Sequence, residues 1–306
     1  MRLFVTGATG VIGSRALPLL IRDGHQVTAV GRSADKRAAL ERAGATTVAV
    51  SLFDSLGLAR AMDGHDAVLN LATSIPSSSL KMMLPGSWKE NDRIRRVGSA
   101  AIVSAALDAA VSRLVQESFA PMYADGGDDW LDETAPVVPA AYNRSTLDAE
   151  HSVERFVRSG GTGAVLRFAA LYGPDRLMRE MLGLIRKGWS PLPGDPRAYF
   201  TSLAQDDAAS AVVAALSVPS GTYNVAEDDP MRRGEWVASL AHAAGYKAPR
   251  PLPRRLTGLM GGSMELLSRS LRISNRKFRE VSGWAPRNPR ADHAWSALLS
   301  ELRDAA

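Results

Sequence analysis

The sequence predicts an α/β fold in which helices cover both faces of a doubly wound parallel sheet. Short runs of apolar and β-branched residues alternate with helical stretches through the first half of the chain, and a glycine-rich turn joins the first strand to the first helix. The runs are continuously apolar, as in parallel strands that are buried on both faces. The alternation loosens after Tyr172, which indicates a smaller C-terminal lobe.

The predicted elements follow in order along the chain. Strands are predicted in the first half at 3–6, 26–30, 47–50, 67–71, 114–117 and 165–168. The helices between them are predicted at 11–22, 34–42, 56–62, 91–110 and 142–158. Later elements are a strand at 223–225 and helices at 206–216, 235–244, 274–281 and 292–303.

The glycine-rich turn places Gly7, Gly10 and Gly13 three residues apart, directly after the first strand and before the first helix. Glycine allows a tight turn, a close approach of ligand to backbone, and close packing of helix on strand. The helix start offers free N–H groups and the positive end of a dipole, which suit a pyrophosphate. This context predicts a Rossmann-type dinucleotide site. The alternative interpretation is a glycine-rich turn that holds no ligand.

These features divide the chain into two expected domains. Residues 1–172 form the Rossmann-type domain, and residues 173–306 form a smaller substrate-binding lobe. Some segments of that lobe, at about 206–226, are expected to return to the sheet of the first domain.

Composition excludes several classes of protein. A chain of 306 residues with 45% hydrophobic and 23% charged residues is expected to be soluble and globular, with no membrane partner. The glycine turn begins so early that we expect no targeting peptide before it. There is no Cys, which excludes disulfides and thiolate chemistry and is typical of a cytoplasmic protein. The histidines are scattered without metal-binding spacing, so no metal is expected.

The charge balance is basic, with a net charge of +5. Many basic residues gather late in the chain, namely Arg250, Arg254, Arg255, Arg269, Arg272, Arg276, Lys277 and Arg279. A nucleic-acid surface is one interpretation, but no aromatic-interleaved motif accompanies the charge. We therefore expect a solvated, arginine-rich surface and no nucleic-acid partner.

The whole chain resembles the extended short-chain dehydrogenase/reductase family, also called the NAD-dependent epimerase/dehydratase family. The matching segments occur in the family's order: VTGATGVIG (5–13), DGHQVTAVGRS (23–33), AMDGHDAVLNLAT (61–73), VSRLVQES (111–118), YNRSTLDAE (142–150), LRFAALYGPD (166–175), DDAASAVVAAL (206–216) and GTYNVAEDDP (221–230). The tail at 274–289 is similar to that of the atypical members. The resemblance implies a nicotinamide coenzyme, a small-molecule substrate, and a homodimer through the helices at 91–110 and 142–158.

The end of the second strand predicts NADP(H) rather than NAD(H). An acidic residue there would bind the ribose hydroxyls and repel a 2′-phosphate. This chain has Arg32 instead, with Ser33 after it and Arg37 close behind. A guanidinium can hold a phosphate through paired, charge-assisted hydrogen bonds. The alternative is that Arg32 is only a solvated residue at a strand end.

The resemblance extends the coenzyme site beyond these positions. It implies that Leu52 and Phe53 lie near the adenine, and that Ala72 and Thr73 lie near the ribose and nicotinamide. The full expected coenzyme-binding set is Gly7, Thr9, Gly10, Val11, Ile12, Gly13, Arg32, Ser33, Arg37, Leu52, Phe53, Ala72, Thr73 and Phe168.

Catalysis in the resembled family rests on a Tyr, a Lys four residues later, and a Ser or Thr on the preceding strand. Tyr142 matches the Tyr, but Thr146 stands in the place of the Lys. The hydroxyl position falls on Phe119, with Ser118 one residue away. The expected catalytic residues are therefore Tyr142, Thr146 and Ser118.

The missing lysine affects the direction of the reaction. A Tyr has a pKa of about 10 and stays protonated at neutral pH, so without a cation it donates a proton better than it accepts one. The candidates for a replacement cation are Arg95, Arg144 and Arg179. The alternative for Tyr142 is an ordinary tyrosine at a helix start.

Aromatic residues around the expected pocket suggest the substrate. They are Phe119, Trp88, Trp130, Tyr199 and Phe200. Such rings suit an apolar or aromatic metabolite, although each of them is equally well explained as part of a core.

Three functions follow from these features. The first is an NADP(H)-dependent oxidoreductase that reduces a carbonyl or similar group, with Tyr142 as the proton donor. The second is an isomerase, epimerase, dehydratase or cyclase without net redox change. The third is a non-catalytic protein that senses NADP(H).

Overall fold

The computed structural model describes residues 1–76, 78–82, 84–251 and 268–304. Arg254 and Arg255 of the late basic group lie outside the described residues. In the described ranges, seven parallel strands form one sheet. In spatial order the strands are β11 (Gly221–Val225), β7 (Thr162–Phe168), β5 (Arg113–Phe119), β4 (Ala67–Asn70), β1 (Arg2–Thr6), β2 (Gln26–Val30) and β3 (Thr46–Val48).

Helices lie between the strands in the sequence. They are α1 (Gly13–Arg22), α2 (Ala34–Arg42), α3 (Ser55–Met62), α4 (Ser79–Met82), α5 (Lys89–Arg93), α6 (Ser99–Asp108), α7 (Ser145–Arg158), α8 (Arg176–Arg186), α9 (Gln205–Ala214), α10 (Arg233–Ala243), α11 (Arg276–Ser282) and α12 (Trp295–Asp304). Short 3₁₀ turns occupy Pro85–Trp88 and Ala291–Ala294. None of the helices in the described ranges has the length and apolar character that a membrane crossing requires.

The central strand β1 shows why its sequence is continuously apolar. Leu3 and Val5 pack into the apolar core on one face of the sheet, and Phe4 packs into the core on the other face. All three side chains are buried because helices cover both faces. This arrangement confirms the predicted fold class.

Two helical segments differ from the prediction in a way that matters for the site. The helix expected at 142–158 begins at Ser145, so Tyr142 lies in the turn before it. The helix expected at 91–110 consists of α5, a π-helical turn at Ile94–Gly98, and α6. A π-turn inserts one extra residue into a helix and is found mostly at functional sites.

The C-terminal part has its own apolar core. Trp236 packs against Trp295 and Tyr172 with ring centroids 5.0 and 6.4 Å apart. Short strands pair around this core: β8 (Ala170–Tyr172) with β10 (Ser202–Ala204), and β9 (Tyr199–Phe200) with β12 (Met231–Arg232). A further pair joins β6 (Trp130–Leu131) to β13 (Arg272–Ile273).

Candidate active site

The glycine turn at the end of β1 uses its three glycines differently. Gly7 has a φ of +72°, and a Cβ there would overlap the carbonyl of Leu71. A Cβ at Gly13 would overlap the carbonyl of Gly7. Both glycines are therefore required by the packing of the protein itself.

Gly10 has no such internal reason. A Cβ at Gly10 would meet only the carbonyl oxygen of Gly7, at 3.1 Å, and the neighbouring Thr9 and Val11 are exposed. Helix α1 follows with Ile12 at its N-cap, no capping side chain and no acidic residue in its first turn. The surface over Gly10 thus offers exposed backbone and a helix start without a capping side chain or an acidic residue, which fit a pyrophosphate.

The end of β2 carries the residues expected to select the coenzyme. Arg32 is exposed. Ser33 caps α2 by accepting a hydrogen bond from the Lys36 N–H at 3.3 Å. The Arg37 guanidinium donates to the carbonyl of Gly31 at 3.1 Å. Ser33 and Arg37 therefore build this corner of the fold, whereas Arg32 and the neighbouring Lys36 present their positive charges to solvent.

The other expected coenzyme residues follow neighbouring strands at the same edge of the sheet. Leu52 and Phe53 come after β3 and are half-buried, with the Arg93 guanidinium 3.8 Å from the centre of the Phe53 ring. Ala72, which is buried, and Thr73, which is half-buried, come directly after β4. Ligands of doubly wound folds bind along this carboxyl edge.

Phe168 ends β7 and is buried. It lies in register with Phe119, the last residue of β5, which is half-buried. Phe119 thus ends β5, the strand next to the one that leads to Thr73, and Phe168 ends the following strand, both at the carboxyl edge of the sheet.

Tyr142 is half-buried in the turn before α7. Its ring lies against Trp88, with centroids 4.7 Å apart and the planes tilted by 45°. Burial raises the pKa of Tyr142 to about 12, and the positive charges of Arg269 and Arg95 act in the opposite direction. The phenol therefore keeps its proton at neutral pH and can act as a donor.

A guanidinium from another element reaches the side chain of Thr146, the residue that stands in the place of the lysine. Thr146 is fully buried and accepts a hydrogen bond from Arg95 Nη1 at 2.6 Å. Arg95 Nη2 lies 2.8 and 3.2 Å from the two carboxylate oxygens of Glu117. Of the candidate cations, Arg95 is the one whose contact with Thr146 the structure records, whereas Arg144 is exposed before α7 and Arg179 lies on α8.

Ser118 has a different environment from the one expected. It is fully buried, and its hydroxyl donates to Glu150 at 2.5 Å. Glu150 is itself paired with Arg167 at 2.7 Å. Because successive side chains of a strand point to opposite faces, Ser118 and Phe119 cannot both face one pocket. The structure does not bring Ser118 into the group formed by Tyr142, Trp88 and Thr146.

The aromatic residues expected around the pocket have different neighbours in the structure. Trp88 contacts Tyr142, whereas Trp130 and Tyr199 stand on either side of the Arg272 guanidinium, 4.2 and 4.7 Å from it. Phe200 packs on Trp236 in the C-terminal core, with centroids 5.4 Å apart. Of the five rings, Trp88 is the one for which the described residues show a ring contact with Tyr142, and a cleft lined by all five rings stays a prediction.

The sequence analysis named Arg95 as a candidate cation but missed its partner, Glu117. Glu117 is buried within strand β5, and Arg95 is buried in the π-helical turn before α6. Charged residues are almost never fully buried unless they are paired. That rule, applied to both segments, would have suggested that the two side chains meet.

Comparison with known proteins gives the family. The model of the NAD dependent epimerase/dehydratase family matches residues 3–226. A 3-diazoavenalumate denitrifying reductase from a Streptomyces species is 32% identical over 302 residues, which cover 94% of this chain and 97% of that protein. A 4-hydroxy-2-methyl-3-oxo-4-farnesyl-3,4-dihydroquinoline-1-oxide ketoreductase of Stigmatella aurantiaca is 25% identical over 81% of this chain and 75% of that protein.

Among solved structures, the fold is similar to that of a dTDP-glucose 4,6-dehydratase of Streptomyces venezuelae, solved with NAD bound. The TM-score is 0.80 at 20% identity, over 99% of this chain and 97% of that chain. This protein is therefore an enzyme that belongs to the NAD-dependent epimerase/dehydratase family, the extended short-chain dehydrogenases/reductases, whose coenzyme is a nicotinamide dinucleotide.

Proposed function

We propose that this protein is an NADPH-dependent reductase that acts on a carbonyl or similar group of a small apolar or aromatic metabolite. The observation that carries the proposal is the state of Tyr142, whose pKa burial raises to about 12. A phenol that holds its proton so firmly is a poor base for oxidising an alcohol and a good donor to an oxygen that gains negative charge.

The coenzyme is held at the carboxyl edge of the sheet. Gly10 and the N-terminus of α1 bind the pyrophosphate, and exposed Arg32 binds the 2′-phosphate. When bound, NADPH supplies the hydride. We assign residues 1–172 to coenzyme binding and residues 173–306 to the substrate side.

The chain's own residues manage the proton and the solvent. Tyr142 donates its proton to the substrate oxygen, and Trp88 shields one side of the phenol from water. Phe119 places an apolar ring at the strand end where the resembled family has a hydroxyl. The pocket therefore favours an apolar substrate and leaves Tyr142 as the proposed donor.

A second candidate function is suggested by Phe119, which stands where the resembled family has a hydroxyl in addition to that of the tyrosine. The 32% identical relative is named as a denitrifying reductase of a diazo compound. In the reduction of an aryl diazonium ion, Ar–N₂⁺, a hydride equivalent would form the new C–H bond while the C–N bond breaks, and neutral dinitrogen would leave with the electron pair of that bond. This step requires no protonation of an oxygen. A site with Phe119 at the strand end, in which the Ser118 hydroxyl is already hydrogen-bonded to Glu150, therefore suits this chemistry.

The test measures oxidation of NADPH by the purified protein with aromatic ketones and with aryl diazo compounds. Turnover of ketones that falls at least about a hundredfold in Tyr142→Phe supports the proposal. The control is Tyr246→Phe, which removes the hydroxyl of an exposed tyrosine that lies just after α10 and has no role in the proposed site.

The other outcomes separate the alternatives. Release of dinitrogen with NADPH oxidation, unchanged in Tyr142→Phe, selects the second candidate. Product formed without NADPH oxidation would mean an isomerase or dehydratase, and binding of NADPH without turnover of any compound would mean a sensor. Either of these two results overturns the assignment as a reductase.

A further inference from the structure

We propose that Arg95, held by Thr146 and Glu117, supplies the positive charge that serves Tyr142 in this protein. Arg95 is thus a positioning residue that acts on the proton donor from a neighbouring helix. This inference deepens the proposed function and rests on the proposed role of Tyr142.

The first argument is the placement of the guanidinium. Arg95 is only 3% exposed and reaches position 146 by donating to the Thr146 hydroxyl at 2.6 Å. Thr146 is the second residue of α7, four residues after Tyr142, which lies in the turn that leads into this helix. A long side chain at 146 would compete for this space, so the short Thr and the long Arg are complementary.

The second argument is the cost of the arrangement. A buried guanidinium needs a partner for its charge and for its N–H groups. Glu117 supplies the opposite charge, at 2.8 Å, but Arg95 Nε is buried with no hydrogen-bond partner among the described residues. A buried charge that is incompletely satisfied is expensive for stability, which suggests that it is retained for another purpose.

The third argument is the backbone that carries Arg95. The residue lies in the π-helical turn Ile94–Gly98, between α5 and α6. The extra residue of a π-turn rotates the side chains before it relative to those after it. Such a turn re-aims Arg95, which an uninterrupted helix over this stretch would direct elsewhere.

The fourth argument is the charge around Tyr142. The charged groups that act on it are Arg269 and, with a smaller effect, Arg95, which both favour the ionised phenol. Glu117 pairs with Nη2 of Arg95, while Nη1 donates to Thr146, and the carboxylate offsets part of the charge of Arg95. Arg269 also donates to the carbonyls of Tyr123 and Val138, so its position is fixed by the backbone.

A second buried ion pair, between Arg167 on β7 and Glu150 on α7, provides a matched control. The two side chains are 2.7 Å apart and 8% and 9% exposed, and the Ser118 hydroxyl donates to the carboxylate. This pair is similar in burial and composition to Arg95 and Glu117, whereas the charges that act on the pKa of Tyr142 are Arg269 and Arg95.

The experiment measures the ionisation of Tyr142 directly. A fluorinated tyrosine at 142, whose phenol ionises at lower pH, is titrated by fluorine NMR in the full-length protein. Arg95→Met is expected to raise its pKa by at least about 0.5 units, and Glu117→Gln to lower it. Arg167→Met is expected to leave it within about 0.2 units of the wild-type value, although it breaks a comparable ion pair.

A second variant covers the case in which Arg95→Met does not fold. Thr146→Lys combined with Arg95→Met moves the cation from the π-turn to α7 and is expected to return the pKa of residue 142 to within about 0.3 units of the wild-type value. Thr146→Lys alone brings two cations together and is expected to lower the melting temperature.

The proposal is overturned if the folded Arg95→Met leaves the pKa of residue 142 unchanged, as Arg167→Met is expected to do, or if the double variant leaves that pKa raised by about 0.5 units or more. It is also overturned if Thr146→Lys alone is as stable as the double variant. Neither measurement requires substrate or coenzyme. A failure of the proposed reductase activity would therefore leave this result intact, and the reverse also holds.

Discussion

Replacing Gly10 by Ala separates the ligand-binding role of the glycine turn from its structural role. Gly10 does not have a positive φ, and a Cβ there would meet only the carbonyl oxygen of Gly7, at 3.1 Å. The methyl group would instead project from the surface where we place the pyrophosphate. The substitution should therefore damage binding of the coenzyme and not the fold.

The magnitudes follow from the geometry. Replacing Gly by Ala at a compatible position stabilises a folded protein by about 0.4–1 kcal/mol. The 3.1 Å contact with the carbonyl oxygen of Gly7 offsets part of this gain. The free energy of unfolding should therefore change by less than about 1 kcal/mol. Displacing the pyrophosphate by the width of a methyl should weaken NADPH binding at least tenfold, about 1.4 kcal/mol.

Substitutions of two further glycines serve as stability references for Gly10→Ala. Gly7→Ala combines a left-handed φ, which costs about 1–2 kcal/mol, with overlap on Leu71, which costs about 1–3 kcal/mol. It should lose about 2–5 kcal/mol of the free energy of unfolding. Gly24→Ala, with a φ of +82° and nothing within 4 Å, should lose only the conformational part.

The assays are urea unfolding for the free energy and calorimetric titration for NADPH. The reasoning would be refuted if Gly10→Ala bound NADPH as tightly as the wild type, because the ligand would then not approach this backbone. It would also be refuted if Gly10→Ala were as destabilised as Gly7→Ala, because Gly10 would then have a packing role.

Three other perturbations test separate parts of the structure. Arg32→Ala should weaken NADPH binding about tenfold in calorimetry and leave NADH binding nearly unchanged, and an equal loss for both would remove the 2′-phosphate assignment. Burial raises the pKa of Glu227 to about 8, so the folded protein loses stability as pH rises from about 5 to about 8, where only the unfolded carboxyl ionises. Glu227→Gln should flatten that pH dependence in urea unfolding, with a gain of up to about 4 kcal/mol near pH 8, and an unchanged slope would contradict it. Ser118→Ala breaks the 2.5 Å bond to Glu150 and should cost about 1–3 kcal/mol of stability without changing the Kd for NADPH, whereas a weakened Kd would return Ser118 to the site.

Much of the fold was predictable because the apolar strands, the turn glycines and the helix caps all indicate the same elements. Strand β1 is apolar at consecutive positions, Gly7 follows where a positive φ is needed, and α1 begins shortly after it. Predicted bounds of β2 and α2 match the structure, since turn residues and a Ser N-cap at position 33 define their ends. These features depend on neighbours in sequence, which a sequence shows directly.

The catalytic region was less predictable because it depends on contacts between distant residues. The bond from Arg95 to Thr146 spans 51 positions in the sequence, and the aromatic contact of Trp88 with Tyr142 joins two different loops. The resemblance to the family identified Tyr142 and showed that Thr146 stands in the place of a lysine. It could not show which of the candidate arginines lies near Thr146.

Ser118 shows a related limit of sequence reasoning. A hydroxyl one residue away from an expected position seems a small departure on paper. On a strand, one residue reverses the side chain to the other face, and Ser118 accordingly bonds to Glu150 in the buried ion-pair network. Phe119, and not Ser118, remains at the strand end beside Phe168.

The most direct test of the account is a calorimetric titration of the purified wild-type protein with NADPH and with NADH. The account predicts one site per chain for each coenzyme, with NADPH bound more tightly than NADH. Absence of binding heat with both coenzymes would contradict it, because the turn at Gly10 would then hold no dinucleotide and Tyr142 would have no hydride donor beside it.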